Sequence, residues 1–511
     1  MAVLATVTPL LFRIGYLAIF SRWYPYDDEG YLLVSLRSHM SGDALYDDVF
    51  SQYGPFYYQL MGLVFRLAGA LPTHDGGRLL TLSLWLLTSA LGGFGVYLIT
   101  RRLLLAVGTQ ALVFLAASTV ANEPMHPGGI LCLLLAGLVA AVATIPRSSR
   151  AGWFAAGALA SGMAFIKVNV GGLALIALLI TAIISSREEP WLRIAAIGVF
   201  VATPFALMAR DLGEPYVLPY AFVVASSALG LAAVSLVSPR SPSRSSVRSL
   251  LTGAVATSFV IVAAALLQGT DLASLFDGVL LAPLGQRQVF TLPMVLPAGL
   301  SVWAGVGMVF AVVAARLVRG ARLAAGDHAV AVLRIAGGTL MWLAVGGVIG
   351  LSVPAFALAL PLAWVILLPG PEGASRVVRL GLATLAVLQA LHGYPVAGSQ
   401  TSWSGLLCAP LGAVAIADGL TALANRAQGR VRLSVRASGV VLILGILGWL
   451  VLGPISSMDE GARISYFGAQ ASGLPGAERL RLAPETAEDQ RHVVSALRSR
   501  CHTFYSWPGL N

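Results

Sequence analysis

Three consecutive acids, Asp27, Asp28 and Glu29, follow the first apolar run of a very apolar chain. A carboxylate within reach of an incoming hydroxyl can act as a general base. At the mouth of a hydrophobic segment, acids are costly unless they serve such a purpose or are paired. The stretch continues through Gly42-Asp-Ala-Leu-Tyr46 to Ser51-Gln-Tyr-Gly-Pro55. Further on, Asn122-Glu-Pro-Met-His-Pro127 offers a second carboxylate, Glu123, with His126 beside it. Lys167, in Phe165-Ile-Lys-Val-Asn169, is the one lysine among 33 basic residues. Where every other basic position is arginine, a single lysine suggests a compact point charge suited to a phosphate oxygen. The loop Leu391–Gln400 adds His392, Tyr394 and Gln400 as groups able to bind a sugar or a phosphate, and Arg287 with Gln288 offers a second phosphate contact. Each has a plainer reading. First-turn acids stabilise helix N-termini, prolines end helices, and a lysine at a helix end can snorkel.

The elements that must position these residues are membrane helices. The chain has 511 residues, 57% hydrophobic and 11% charged, with a mean hydropathy of +0.81. Soluble domains carry roughly 25% charged residues. Runs of about 20 apolar residues therefore predict an all-α polytopic membrane protein. They fall near 3–21, 55–71, 79–99, 105–120, 128–145, 152–167, 170–185, 191–209, 216–237, 250–267, 294–316, 329–350, 352–368, 377–391, 403–424 and 437–453. The segment 55–71 carries Arg66 and a cluster of aromatics, and suits the membrane interface better than its interior.

Charge sets the expected orientation. One set of alternate loops holds arginines such as Arg101, Arg102, Arg147, Arg316, Arg334, Arg376 and Arg430, and the opposite set holds Asp27, Asp28, Glu29, Asp75, Glu123, Asp211 and Asp271. By the positive-inside rule the N-terminus is cytoplasmic and the acidic loops are extracytoplasmic. The net charge of +10 then reflects topology, and no basic-aromatic face exists for nucleic acid. Met1–Phe20, with Arg13 in mid-run, reads as a retained signal-anchor helix, Arg13 taking a structural partner.

Asp27 is placed to N-cap a helix starting at Asp28, with Leu32, Leu33, Leu36 and Met40 on its apolar face and Gly42 ending it. The polar linker 239–248 marks a seam between a region 1–238, with its outer loop at 22–78, and a region 249–455. From 456 to 511 a small extracytoplasmic domain is expected, with a helix near Glu485–Arg500 whose stripe is Val493, Val494 and Leu497. The abrupt stop at Asn511 fits a truncated sequence. Cys132 and Cys408 lie in apolar runs as small buried hydrophobes, and no P-loop, nucleophile elbow, HExxH or Rossmann fingerprint is present.

Asp28-Glu29, Gly42 with Leu45-Tyr46, Tyr53-Gly54-Pro55, Glu123 with His126-Pro127, and Gly162 with Lys167 together resemble, in this order, the GT-C glycosyltransferases. The nearest likeness is to bacterial protein-mannosyltransferase-like and lipid A sugar-transferase-like enzymes. It covers about residues 1–210 and is architectural beyond. The resemblance implies a GT-C-like multi-helix bundle in the bacterial inner membrane. It implies a polyprenyl-phosphate-linked sugar donor, a glycan, lipid or protein acceptor, and inverting transfer on the extracytoplasmic face. By that resemblance Asp28 would be the general base, Glu29 would orient acceptor or loop, Glu123 would bind acceptor or a metal, and Lys167 would hold the donor phosphate; from the residues themselves His126 is placed to join Glu123 and Arg287 to join Lys167. Tyr53, His392, Tyr394 and Gln400 would line the substrate site. The extra acid, Asp27, leaves Asp27 and Asp28 as alternatives for the base. No cofactor is required by the residues, and a divalent cation (Mg or Mn) is the one the resemblance leaves open. The rival reading is a lipid or saccharide flippase or transporter without transferase activity, although the chain has no internal repeat and its polar residues gather on one face.

Overall fold

An apolar run facing lipid must close its backbone hydrogen bonds within itself, because lipid offers none. In the computed structural model, residues 2–24, 28–186, 189–237, 245–286, 291–320, 322–323, 327–347, 354–370 and 375–501 are described. Asp27, Arg287, most of the linker 239–248 and the last ten residues lie outside them. The helices are α1 (Ala2–Ile19), α2 (Glu29–Ser41), α3 (Pro55–Leu67), α4 (His74–Thr100), α5 (Leu103–Ala116), α6 (Gly128–Thr144) and α7 (Ser149–Ala164). They continue as α8 (Val168–Ser185), α9 (Pro190–Met208), α10 (Val217–Leu236), α11 (Ser245–Leu267), α12 (Leu272–Phe276), α13 (Ala282–Gln286) and α14 (Leu300–Arg319). The last are α15 (His328–Gly346), α16 (Arg376–Gln389), α17 (Ser399–Ser404), α18 (Cys408–Arg426), α19 (Gly429–Leu450), α20 (Ser456–Phe467) and α21 (Pro484–Arg500). Among the described residues nine helical stretches are long and apolar enough to cross a membrane. The protein is an all-α polytopic membrane protein.

One contiguous core runs from Leu11 in α1 to Ala462 in α20. Residues from both sides of the linker 239–248 contribute to it. Small residues bring helices close: a Cβ on Gly157 of α7 would lie 2.0 Å from the Leu250 carbonyl oxygen, and one on Gly253 of α11 would lie 2.0 Å from that of Phe154. In lipid such close backbone approach replaces the hydrophobic driving force available in water.

The run 352–368 differs from expectation. It forms 3₁₀ turns, Ala355–Leu358 and Leu360–Leu367, buried inside the bundle. Irregular backbone survives at membrane depth only where protein satisfies it. Arg334, fully buried within α15 and not in a loop, donates to the carbonyls of Val365, Ile366, Leu368 and Pro369. Nearby, buried Arg379 of α16 forms a bidentate pair with Asp418 of α18, both bonds at 2.6 Å.

At the other end of the bundle, α2 begins at Glu29, one residue later than expected. Asp28 occupies the N-cap position in helical geometry and its side chain makes no cap bond. Leu32, Leu33 and Leu36 are buried, Met40 is half-buried, and Gly42 ends the helix at φ 111°. α3 has 13 residues, about 20 Å and too short to span. It buries Tyr57, Tyr58, Met61 and Phe65 while leaving Leu63 and Leu67 exposed.

The boundary expected at 455–456 falls inside one helical column, since α19 continues through a π turn, Val451–Ile455, into α20. That column returns to α1, where Arg13 pairs with Asp459 at 3.3 Å. A separate module follows. It consists of β1 (Gln470–Ala471) paired antiparallel to β2 (Arg481–Leu482), then α21. The predicted stripe of α21 does not form its core: Val493 is exposed, and the buried residue is Ala487, packed with Ala477, Leu480 and Leu482. The short hairpin reaches only the first turns of the helix.

Breaking a buried ion pair strands a charge, whereas replacing both partners does not. Asp418→Ala should therefore destabilise the protein by about 3 kcal/mol. The Arg379→Met/Asp418→Leu double variant should recover most of that in thermal unfolding in detergent micelles.

Candidate active site

Two chain segments far apart in sequence meet through their backbones. The Gly54 N–H donates to the Ile166 carbonyl at 2.9 Å, and the Phe56 N–H donates to that of Phe165 at 3.1 Å. Only glycine permits this approach, since a Cβ at position 54 would lie 2.0 Å from the Phe165 carbonyl oxygen. Pro55 starts α3 at its N-terminus, where a missing N–H costs nothing. The Tyr53-Gly54-Pro55 turn thus carries Tyr53 to the segment that presents Lys167, the residue preceding α8.

The functional groups converge there. The Tyr53 hydroxyl donates to Asp28 Oδ2 at 3.0 Å. Lys167 Nζ donates to Gln400 Oε1 at 2.9 Å. The Ser399 hydroxyl donates to Glu123 Oε1 at 2.7 Å. Burial pushes the Asp28 carboxyl above the usual carboxylate value, and the Tyr53 hydroxyl and Lys167 ammonium oppose that without cancelling it. Burial likewise raises Glu123 against the Ser399 bond. Lys167 is pushed down to about 8 by burial, with Glu123 and Asp28 pulling the other way. Two carboxyls and one ammonium therefore share a single electrostatic site.

Glu29 has the opposite fate. It is almost wholly buried and takes two bonds from Arg78, Nε at 2.9 Å and a terminal nitrogen at 2.7 Å. His74 Nδ1 lies 3.2 Å from Oε1, the oxygen that also accepts from Arg78 Nε. Burial alone would raise this carboxyl, but Arg78 and His74 hold it below the usual value. Arg78 also donates to the carbonyls of Ile19 and Arg22, and Arg22 donates to Asn122 Oδ1 at 2.7 Å. Glu29 is thus a pin for the segment that carries Asp28, and it does not face the site.

The remaining candidates divide. His126 is buried, with its ring edge-on to Tyr53 at 5.5 Å and tilted against Trp403 at 5.2 Å. Its Nδ1 accepts from the Gly128 N–H at 3.0 Å. Burial and Lys167 push its pKa down to about 3, so the 3.8 Å approach to Glu123 is not an ion pair at neutral pH. His126 orders the wall of the site. His392 is fully buried near Trp403, and neither ring nitrogen has a hydrogen-bond partner among the described residues. Tyr394 turns away, its hydroxyl donating to Asp211. Of the loop residues only Gln400 reaches Lys167. Asp27 and Arg287 lie outside the described residues.

Sequence reasoning missed Ser399, Arg78 and His74. Ser399 gave no signal. Arg78 did, as a lone arginine four residues after a histidine at the start of an apolar helix, where both side chains share one face.

As for a divalent cation, no group of three or more His, Cys, Asp or Glu side chains able to hold a metal occurs among the described residues. With His126 Nδ1 already engaged and an ammonium facing both acids, these residues do not fit a metal cage.

No family model matches the sequence, and no curated protein does. Among solved structures, a crystal structure of the Archaeoglobus fulgidus oligosaccharyltransferase complexed with Zn and sulfate is similar at a TM-score of 0.35 and 13% identity. The similarity covers 89% of this chain and 52% of that one, so the chain spans about half of that protein's length.

Gly54 and Gly30 make a controlled pair, because a Cβ at Gly30 would meet nothing within 4 Å. Gly54→Ala should lower stability by about 1–3 kcal/mol through overpacking, while Gly30→Ala should leave the thermal unfolding midpoint essentially unchanged.

Proposed function

We propose that the protein is a GT-C-type glycosyltransferase that moves a sugar from a polyprenyl-phosphate donor to an acceptor hydroxyl on a glycan, lipid or protein. The observation that carries this reading is the meeting of a partly buried carboxylate, Asp28, with the chain's one lysine through the Gly54–Ile166 bridge. The chemistry needs both. The acceptor oxygen forms a bond to the anomeric carbon as the bond from that carbon to the phosphate oxygen breaks. The acceptor proton passes to Asp28, and polyprenyl phosphate leaves with the extra negative charge. A base raised above its ordinary value is better matched to that proton, and a fixed cation where charge develops stabilises the transition state. Attack opposite the leaving phosphate inverts the anomeric centre.

Lys167, steered by Gln400, is the donor phosphate contact. Glu123, steered by Ser399, holds the acceptor. Tyr53 aims Asp28, and Glu29 with Arg78 positions the segment. His392 and Trp403 are fully buried behind His126 and back the wall of the site without facing the substrate. By the charge bias of the loops the site opens on the extracytoplasmic face of a bacterial inner membrane.

The direct test is sugar transfer by purified protein in liposomes, using radiolabelled polyprenyl-phosphate hexoses and pentoses. Asp28→Asn should reduce transfer by about 10²-fold or more. Unchanged transfer would remove Asp28 as the base, and movement of substrate across the bilayer with no glycosyl product would favour transport instead.

The pH dependence follows from the two shifted groups. Asp28 must be ionised, so the acid limb of kcat/KM should lie above the pH at which an ordinary aspartate titrates. Lys167 must be charged, so kcat/KM should fall again near pH 8. In Lys167→Arg the alkaline limb should vanish, since guanidinium stays charged.

A further inference from the structure

The first turn of α4 faces two ways. Thr73 caps it by accepting from the Gly76 N–H at 3.1 Å. His74 and Arg78, one turn apart, hold Glu29 next to Asp28. Asp75, between them, faces the C-terminal module. Its carboxylate accepts from the Arg479 N–H at 3.0 and 3.2 Å, and its own N–H donates to the Gly476 carbonyl at 2.9 Å. The module makes two more contacts with the same region. The Arg481 N–H donates to the Phe20 carbonyl at 2.8 Å, at the end of α1. Trp23 packs on the module's small core of Ala477, Leu480, Leu482 and Ala487.

A core of four such residues is too small to be stable by itself. Trp23 completes it, so the module and the segment after α1 form one packing unit. We infer that the module Gln470–Arg500 is a positioning clamp for the Asp28 segment, acting through the first turn of α4. It touches neither Lys167 nor the groups around it in any hydrogen bond or ion pair among the described residues. Its effect is therefore on where Asp28 sits and not on donor binding. Asp75 is its key positioning residue. As a statement about catalysis this rests on the function proposed above, but as a statement about mechanical coupling it does not.

The test uses the full chain in nanodiscs, with Asp75→Ala as the main variant and Trp23→Ala as the second. Hydrogen–deuterium exchange is followed in residues 28–36 and 470–482, with α8 as the internal check on folding. Exchange in both segments should rise about tenfold together, with α8 unchanged. In the transfer assay kcat should fall about tenfold with the donor KM unchanged, since small misplacement of a catalytic group costs rate. Asp75→Asn, which keeps an oxygen acceptor, should restore most of it. The clamp is overturned if 470–482 loosens while 28–36 stays protected, or if neither segment changes in either variant. If the wild-type protein transfers no sugar from any donor, the proposed function fails while the exchange result still decides the clamp.

Discussion

A half-buried lysine cannot stand alone in a site bounded by apolar helices. Removing an ammonium from water is expensive unless opposite charge and hydrogen bonds replace the lost hydration. Here the compensation comes from Asp28, Glu123 and Gln400, carried on three segments remote in sequence. The Asp28 end of the bundle is organised to keep that arrangement together. Gly54 lets the loop after α2 touch the turn before α8, Asn122 links the Glu123 turn to Arg22, and Ser399 fixes Glu123 from the α17 side.

Adjacent acids with opposite environments are the second feature. Asp28 is desolvated with partial compensation and is raised, whereas Glu29 is desolvated with a bidentate arginine and is lowered. Environment thus gives two neighbouring carboxyls opposite proton affinities, the condition under which such a pair can take different roles. The failure of Asp28 to cap α2 belongs to the same division: its oxygens are directed to Tyr53 and not to the helix.

The sequence made the bundle legible because a 20-residue apolar run has few other fates. It misread 352–368 because composition cannot tell a lipid-facing helix from a buried 3₁₀ segment whose carbonyls are satisfied by an arginine elsewhere, here Arg334. The residue set around Asp28, Glu123, Lys167 and Gln400 was legible as separate candidates, through the lone lysine and acids in loops sharing one face. Their partners were not. Tyr394 and Gln400 looked alike in one polar loop, and only the fold turns one toward Asp211 and the other toward Lys167. Glu29 was expected to orient acceptor or loop, but its partner was not legible, because the arginine that pairs with it lies 49 residues away.

The proposed chemistry depends on Lys167 as the anchor for a lipid phosphate. Native mass spectrometry of the purified protein, reconstituted with a polyprenyl phosphate, reads this without needing turnover. Bound polyprenyl phosphate on the wild type and on Asp28→Asn, with occupancy lost about tenfold or more in Lys167→Met, is the result predicted. Equal occupancy in Lys167→Met and wild type would contradict it.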